Sequence, residues 1–360
     1  MSAFQNLSIS SVALDAVETL CVTLDVATEP TATFAFKQGQ YLTFRADIDG
    51  AEVRRSYSIC AAVGQPLQVA IKCIPDGLFS TYAHASFQPG FEVSVMPPGG
   101  DFYCDLDADV ARAYLCIAAG SGITPVISNV QTILETEPQS RVTLLYGNQR
   151  ANSMVFKERL CWLKSAYLER FQWINLFTQE RQQAEILNGR INNKKGGELN
   201  NRLITIKDYD EFFLCGPEGM ISEVSRGLRA EGIEEEHIHY ELFFASAEDA
   251  QAVLAKHQAR VLAHGGATKM VSVRAGGRET TFELTADGEN ILDAAMEKGM
   301  DLPFSCKGGV CATCKAKVID GEVDLDLNHA LTAEQLAAGY VLTCQAHPIS
   351  DRVTLDFDVV

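Results

Sequence analysis

Basic residues are scarce in this chain. Thirty Lys and Arg stand against 47 Asp and Glu, a formal net charge of −17. That balance repels a phosphate backbone, excludes nucleic acid as a partner class, and favours partners with a basic docking face. Long hydrophobic runs are missing too: none approaches the roughly 20 residues of a membrane-spanning helix. The opening MSAFQNLSIS has neither the basic flank nor the apolar stretch of a secretion signal, so a cytoplasmic protein with no membrane partner is expected. Eleven cysteines, an odd number without such a signal, argue against a disulfide framework and for free thiols. There is no internal repeat and no low-complexity block. At 47% hydrophobic and 21% charged the composition is that of a folded protein, and 360 residues exceed what one core usually serves, so two or three domains are expected.

From about residue 7 to 103 the pattern is short alternating runs (LSISSVAL, TLCVTLDV, QYLTFRADI, LQVAIKCI, FEVSVM) separated by Gly, Pro and Asp turns, with one helical interruption around residues 79–86. Many short strands at this spacing predict an antiparallel β-barrel. Between about 112 and 245 near-continuous apolar strands (AYLCIAA, RVTLLY, FQWINLF, EFFLC) alternate with longer amphipathic stretches, the rhythm of an α/β domain with a parallel sheet. Residues 246–268 read as a partly helical linker ending in a flexible His264-Gly265-Gly266 joint. After it KMVSVRAGGRETTFEL reads as a hairpin and NILDAAMEKGM as a helix, followed by cysteine-bearing loops and short strands. Cys21, Cys73, Cys104, Cys116 and Cys161 fall in apolar or alternating stretches and are expected to act as small buried hydrophobes.

Four other cysteines are spaced differently. Cys306-x4-Cys311-x2-Cys314, with Cys344 after 29 further residues, is the plant-type [2Fe–2S] spacing. Four thiolates must converge on two irons, and Lys307-Gly308-Gly309 lets the backbone wrap close enough for amides to reach sulfur, with small Ala312 and Thr313 suiting the same crowding. A zinc ribbon would pair two Cys-x2-Cys knuckles, and here Cys344 stands alone. A Rieske centre needs two histidine ligands; His329 and His347 lack the accompanying cysteine pattern and are expected on the surface or in loops.

Gly120-Ser121-Gly122-Ile123-Thr124-Pro125 follows an apolar strand and opens a helix, the setting of a pyrophosphate site: glycines allow close approach, and the helix start supplies amides and positive dipole. Pro125 departs from the dinucleotide-binding fingerprint and is expected at the first helical position, which suits proline. Cys215-Gly216-Pro217 makes a second strand-to-helix turn, able to face the same ligand. Between them Tyr146-Gly147-Asn148-Gln149-Arg150 closes a strand with no acidic residue for ribose hydroxyls, and Arg150 suits a 2′-phosphate, so NADPH is expected, with NADH possible. In the barrel Arg54-Arg55-Ser56-Tyr57-Ser58 offers a phosphate clamp, a flat ring for a flavin and a hydroxyl near its reactive edge. Gly77-Leu78-Phe79-Ser80-Thr81 places a glycine and the hydroxyls of Ser80 and Thr81 at a helix start, where a second phosphate fits. Singly these motifs also read as an edge-strand arginine or a helix cap.

Taken in order, Arg55-x-Tyr57-Ser58, residues 120–125, Cys215-Gly216-Pro217 and the four cluster cysteines resemble the ferredoxin–NADP⁺ reductase-like flavoproteins with a fused C-terminal plant-type ferredoxin, over essentially the whole chain. The strongest resemblance, over residues 55–60, 118–125, 146–148, 306–315 and 339–346, is to the branch serving phenylacetyl-CoA ring epoxidation. The resemblance implies a multi-domain protein: an FAD-binding antiparallel β-barrel (1–108), an NAD(P)H-binding α/β domain (109–245), the linker (246–268) and an α+β, β-grasp, ferredoxin-like domain (269–360). It implies FAD contacts from Arg55, Tyr57 and Ser58, with Ser58 near flavin N5, Cys215 beside the nicotinamide, and Glu241 as an acidic residue near the flavin. It implies FAD, NADPH and a [2Fe–2S] cluster as one circuit, since a flavin converts a two-electron donor to one-electron delivery. The cluster of this class is strongly reducing, roughly −400 mV. The partner is then the oxygenase component of a multicomponent complex, a di-iron epoxidase, with a Rieske dioxygenase or steroid hydroxylase as the alternative. A complete di-iron oxygenase is set aside because Glu234-x-x-His237 and Glu236-x-x-His239 overlap in one segment. A cluster-based redox sensor is disfavoured by the nucleotide and flavin motifs.

Overall fold

The alternating runs of the first hundred residues pair into one antiparallel sheet of six strands, ordered Ala51–Ser58, Tyr41–Ile48, Glu92–Val95, Gln5–Ala16, Thr19–Asp25, Gln68–Lys72. An antiparallel bridge between Ile59 and Val69, reinforced by the Cys60 N–H on the Gln68 carbonyl (2.9 Å), joins the outer strands and closes a barrel. The computed structural model describes residues 4–26, 33–243 and 247–359, with backbone only for 247–251, and falls into two compact units, Phe4–Glu241 and Leu242–Val360. Leu7, Ile9, Val22, Leu42, Phe44, Val69 and Ile71 fill the barrel. Helix Leu78–Ser86 packs on that core through Phe79 and Ala83, and the Phe79 ring lies 5.8 Å from Tyr57.

The second layer of the same unit is a five-stranded parallel sheet, ordered Ile238–Glu241, Glu211–Cys215, Ala113–Ala119, Arg141–Asn148, Phe171–Phe177. Its first strand in sequence, Ala113–Ala119, has the second on one side and the fourth on the other. The chain therefore leaves it in opposite directions, and a crevice opens at the carboxyl ends of Ala113–Ala119 and Glu211–Cys215. Helix Ile123–Thr136 follows. Two expectations are corrected there. The helix is buried on every side from Ile123 to Leu134 rather than amphipathic, because it is pressed between sheet and barrel. Gly120–Gly122 winds as a 3₁₀ turn first, so Pro125 occupies the third helical position, where an amide would be unpaired in any case. The helix meets the barrel through polar contacts: Ser128 Oγ donates to the Ala61 carbonyl (2.5 Å), Asn129 to Phe102 (3.1 Å), and Val63 N–H donates to Thr132 (3.1 Å).

In the second unit Ala247–His264 is a single 18-residue helix. Strands Arg278–Thr285, Thr268–Ala275, Arg352–Asp356, Lys315–Asp320 and Tyr340–Leu342 form a mixed sheet on which helix Ile291–Glu297 packs, with a small ribbon of Val323–Leu325 and Ala346–Pro348. Gly276 and Gly277, at φ 58° and 71°, make the two-residue turn of the first hairpin. His347 is corrected from surface to interior: it is 5% exposed in the ribbon and pairs with Asp326 at 3.0 Å. Asp326 also meets Arg260 of the long helix (2.8 Å), which reaches Asp324 at 2.6 Å. Among the other cysteines, Cys21 and Cys116 are buried, but Cys73 and Cys104 are half-buried and Cys161 is exposed. Helix Lys157–Ala166 turns Leu160 and Leu163 inward, which leaves Cys161 on the outer face.

Arg260 is buried between two carboxylates, so Arg260→Ala leaves like charges facing each other, at a cost of about 2–4 kcal/mol. Burial opposes the charge on Asp326, yet His347 and Arg260 hold its carboxyl below the usual value. Its stabilisation is thus complete above pH 4 and lost as pH falls through that lowered value. Thermal melts of wild type and Arg260→Ala from pH 3 to 7 should show the variant melting earlier and a smaller acid-induced loss.

Candidate functional site

Where the parallel sheet's strand order reverses, the two strand-to-helix turns touch. A Cβ built on Gly122 would lie 2.2 Å from the Cys215 carbonyl oxygen, so only glycine allows the approach. A Cβ built on Gly216 would lie 2.7 Å from Met220 Cε and 3.1 Å from Ala119 Cβ. Gly120 adopts φ +56° with open space beside it, while the Tyr146 hydroxyl donates to its carbonyl at 3.1 Å. Thr124 donates to the Ser121 carbonyl (3.0 Å). The result is a tight glycine bend under the first amides of a 14-residue helix, a cradle that fits a pyrophosphate. Pro217 begins the facing helix, Glu218–Ala230.

In the sheet register Cys215 lies between Ala118 and Glu241. From the barrel, Ser58 donates its hydroxyl to Glu241 Oε2 at 3.1 Å across 183 residues of sequence. Ser58, Cys215 and Glu241 are therefore brought together. Burial pushes the Glu241 carboxyl up to about 8, with the Ser58 hydroxyl pulling the other way. The fully buried Cys215 thiol is pushed up by burial and by Glu241, so it stays neutral. The adjacent arginines separate on the strand's alternation. Arg54, on the face opposite the core residues Val53 and Tyr57, is buried and held by Glu52 (2.8 Å) and the Phe4 ring (4.8 Å), whereas Arg55 is exposed. Tyr57 is half-buried, edge-on to Phe44. Gly77 is demanded by packing, since a Cβ would come within 2.4 Å of Ile74 and Ser80. The Ser80 hydroxyl is buried and engaged with Gly77 O (3.1 Å) and Ile74 N–H (3.3 Å), leaving Thr81 exposed at that helix start.

Arg150 is exposed beyond strand Arg141–Asn148. Sequence reading finds no acidic residue there, but the structure supplies one from the neighbouring loop: Glu180 Oε2 accepts from the Ala151 N–H at 2.8 Å. No local motif marks it, because the two segments meet only through strand pairing. A cleft of about 400 Å³, lined by Arg141, Lys164, Arg170, Gln172 and Tyr209, opens at the amino ends of the strands, the wrong end of the sheet for a nucleotide.

In the second unit the cysteine loop turns sharply, with Lys307, Gly309 and Ala312 at φ 51°, 74° and 52°. The thiols lie in two hydrogen-bonding pairs, Cys306 with Cys311 and Cys314 with Cys344. Amides face the sulfurs as a cluster needs: Gly308 N–H lies 3.3 Å from Cys306 Sγ and Cys306 N–H 3.5 Å from Cys311 Sγ. Gln345, not singled out from sequence, ties the loop together by donating to the Lys307 and Cys344 carbonyls, each at 2.9 Å.

Unfolded, Glu241 titrates near 4.5, but folded near 8. Between these values the folded state binds the extra proton, so stability of the Phe4–Glu241 unit should fall as pH rises from 4.5 to 8. In Glu241→Gln that slope should flatten, leaving the variant more stable than wild type at pH 8. Denaturant titrations across this range test it.

Models for an oxidoreductase FAD-binding domain, an oxidoreductase NAD-binding domain and a 2Fe-2S iron-sulfur cluster binding domain match residues 12–103, 116–226 and 273–348. The chain is 41% identical over 359 residues to one of the subunits of 1,2-phenylacetyl-CoA epoxidase from Escherichia coli (strain K12), covering 99% of each. It is 31% identical over 328 residues to the 3-ketosteroid-9-alpha-monooxygenase ferredoxin reductase component of Mycolicibacterium smegmatis, covering 90% of this chain and 87% of that one. It shares a fold with phthalate dioxygenase reductase (TM-score 0.57, 20% identity, 98% of both chains). The same holds for an intact type IV self-sufficient cytochrome P450 monooxygenase (TM-score 0.70, 23% identity), where it covers 98% of this chain and 41% of that longer one. The chain belongs to the ferredoxin–NADP⁺ reductase-like flavoproteins that join FAD-binding, NAD-binding and [2Fe–2S] domains in one polypeptide.

Proposed function

We propose that this reductase takes electrons from NADPH and passes them, by way of FAD and the [2Fe–2S] cluster, to a di-iron oxygenase that epoxidises the ring of phenylacetyl-CoA. The observation that carries the electron-transfer reading is the meeting of Ser58, Cys215 and Glu241 beside the Gly122–Cys215 contact. The acceptor rests on the 41% likeness to the phenylacetyl-CoA epoxidase protein of Escherichia coli. A second reading, service to a steroid hydroxylase or Rieske oxygenase, has the 31% likeness to the ketosteroid monooxygenase reductase in its favour.

A flavin bound here supplies hydride acceptance and one-electron release, and the cluster supplies one-electron relay. Residues 1–108 would carry the flavin, 109–245 the nucleotide and 269–360 the cluster, with 246–268 between them. Arg55 would hold a flavin phosphate and Tyr57 would offer its ring a flat face, while Gly77 and Thr81 would take a second phosphate. Ser80 shapes that turn rather than binding, because its hydroxyl is engaged. Gly120, Gly122, Thr124 and Pro125 form the pyrophosphate cradle, with Gly216 and Pro217 opposite. Cys215 presents a neutral, dry surface to the nicotinamide. Glu241, neutral below about pH 8, keeps a proton beside Ser58 Oγ and a charge out of the ring's edge. Cys306, Cys311, Cys314 and Cys344 would hold the cluster. The work is done in the cytoplasm.

Cys311→Ser should remove most of the low-temperature EPR signal of the reduced [2Fe–2S] centre; an unchanged signal would sink the ligand assignment. A chain ending after Phe243 should still reduce ferricyanide with NADPH but lose cytochrome c and oxygenase reduction. Loss of both activities would rule out a separable flavin–nucleotide half.

A further inference from the structure

The second and third strands of the parallel sheet stay paired beyond their ends. Past Asn148 and Phe177, Thr178 N–H donates to the Asn148 carbonyl (3.0 Å) and Gln179 N–H to the Gln149 carbonyl (2.9 Å). On the next rung a side chain takes the place of the backbone: Ala151 N–H donates to Glu180 Oε2 at 2.8 Å. The turn is closed by Ser153, whose hydroxyl donates to the Arg150 carbonyl at 2.8 Å. Arg150 and Glu180 are both exposed. A carboxylate is thus anchored on the residue following the arginine that suits a 2′-phosphate.

We infer that Glu180 is a specificity-determining residue which weakens the preference for NADPH over NADH. The inference rests on the reading of Arg150 as the corner that meets the 2′ position of the adenosine ribose. A phosphate monoester carries about −1.5 to −2 charges at pH 7. Arg150 attracts it, and a carboxylate held one residue away repels it and occupies an amide it would otherwise take. A ribose diol carries no charge and loses nothing to Glu180, whose second oxygen accepts from a hydroxyl. The pair is close to neutral, so the corner admits both nucleotides.

Glu180→Gln separates charge from architecture, since the glutamine carbonyl still accepts from Ala151 N–H. In the holoenzyme, Glu180→Gln should raise the NADPH/NADH ratio of kcat/KM by about 3- to 10-fold at low salt, through KM. Calorimetry should show 2′-AMP tightening by a similar factor and 5′-AMP not. Both gains should shrink as ionic strength rises. A ratio that stays put, or equal changes for both nucleotides, overturns the inference. Arg150→Ala checks the underlying reading separately: it should weaken NADPH and 2′-AMP alone. Equal losses for both nucleotides in that variant would mean that the 2′ position is read elsewhere.

Discussion

The structure depends on how closely two backbone turns approach at the point where the parallel sheet reverses its strand order. Gly122 lies against the Cys215 carbonyl at a distance that excludes any side chain. That contact draws the carboxyl ends of Ala113–Ala119 and Glu211–Cys215 into one crevice and sets Cys215 at its floor. A wider approach would separate the glycine bend at residues 120–122 from the strand end that carries Cys215. Both strand-to-helix turns are arranged around a spacing that only glycine permits.

That crevice is useful only if the barrel presents its own residues to it. The two layers are joined by directional bonds as well as apolar packing: Ser128 to Ala61, Asn129 to Phe102, Arg159 to the Cys60 carbonyl (2.8 Å) and Asp15 to the Phe156 N–H (2.5 Å). Buried hydrogen bonds of this kind cost stability when one partner is missing, so they favour a single register. A consequence is that Ser58, on the barrel strand beside Arg55 and Tyr57, reaches Glu241 on the outermost strand of the sheet. Glu241 is in turn kept from ionising by the burial that this docking creates.

The second unit solves a different problem, bringing four thiols together without a large core. Its loop uses left-handed turns at Lys307, Gly309 and Ala312, and Gln345 fastens the loop to the 3₁₀ turn that carries Cys344. Arg260 ties the long helix to the ribbon next to that turn through Asp324 and Asp326, and His347 pairs with Asp326. A residue 84 positions before Cys344 thus supports the wall behind the cluster loop.

Features set by covalent spacing were legible in the amino-acid order alone: the cysteine ladder from Cys306 to Cys344, the Gly276-Gly277 hairpin, the alternation that makes a barrel, and the glycine turns at 120–122 and 216. In each case the reach of a short segment limits the conformations available, so the chemistry is visible locally. What only the tertiary structure decided are relations between distant segments. Of Arg54 and Arg55, strand alternation and the Phe4 ring choose which is structural. Pro125 shifts from the first helical position to the third because a 3₁₀ turn precedes the helix. His347 is interior because Asp326 and Arg260 enclose it, and Glu180 stands beside Arg150 because two strands pair beyond their ends. Ser58 and Glu241 meet because the sheet adds Ile238–Glu241 as its outermost strand and the barrel docks so that Ser58 reaches that strand's end. Such contacts depend on strand order and packing, which residue spacing does not encode.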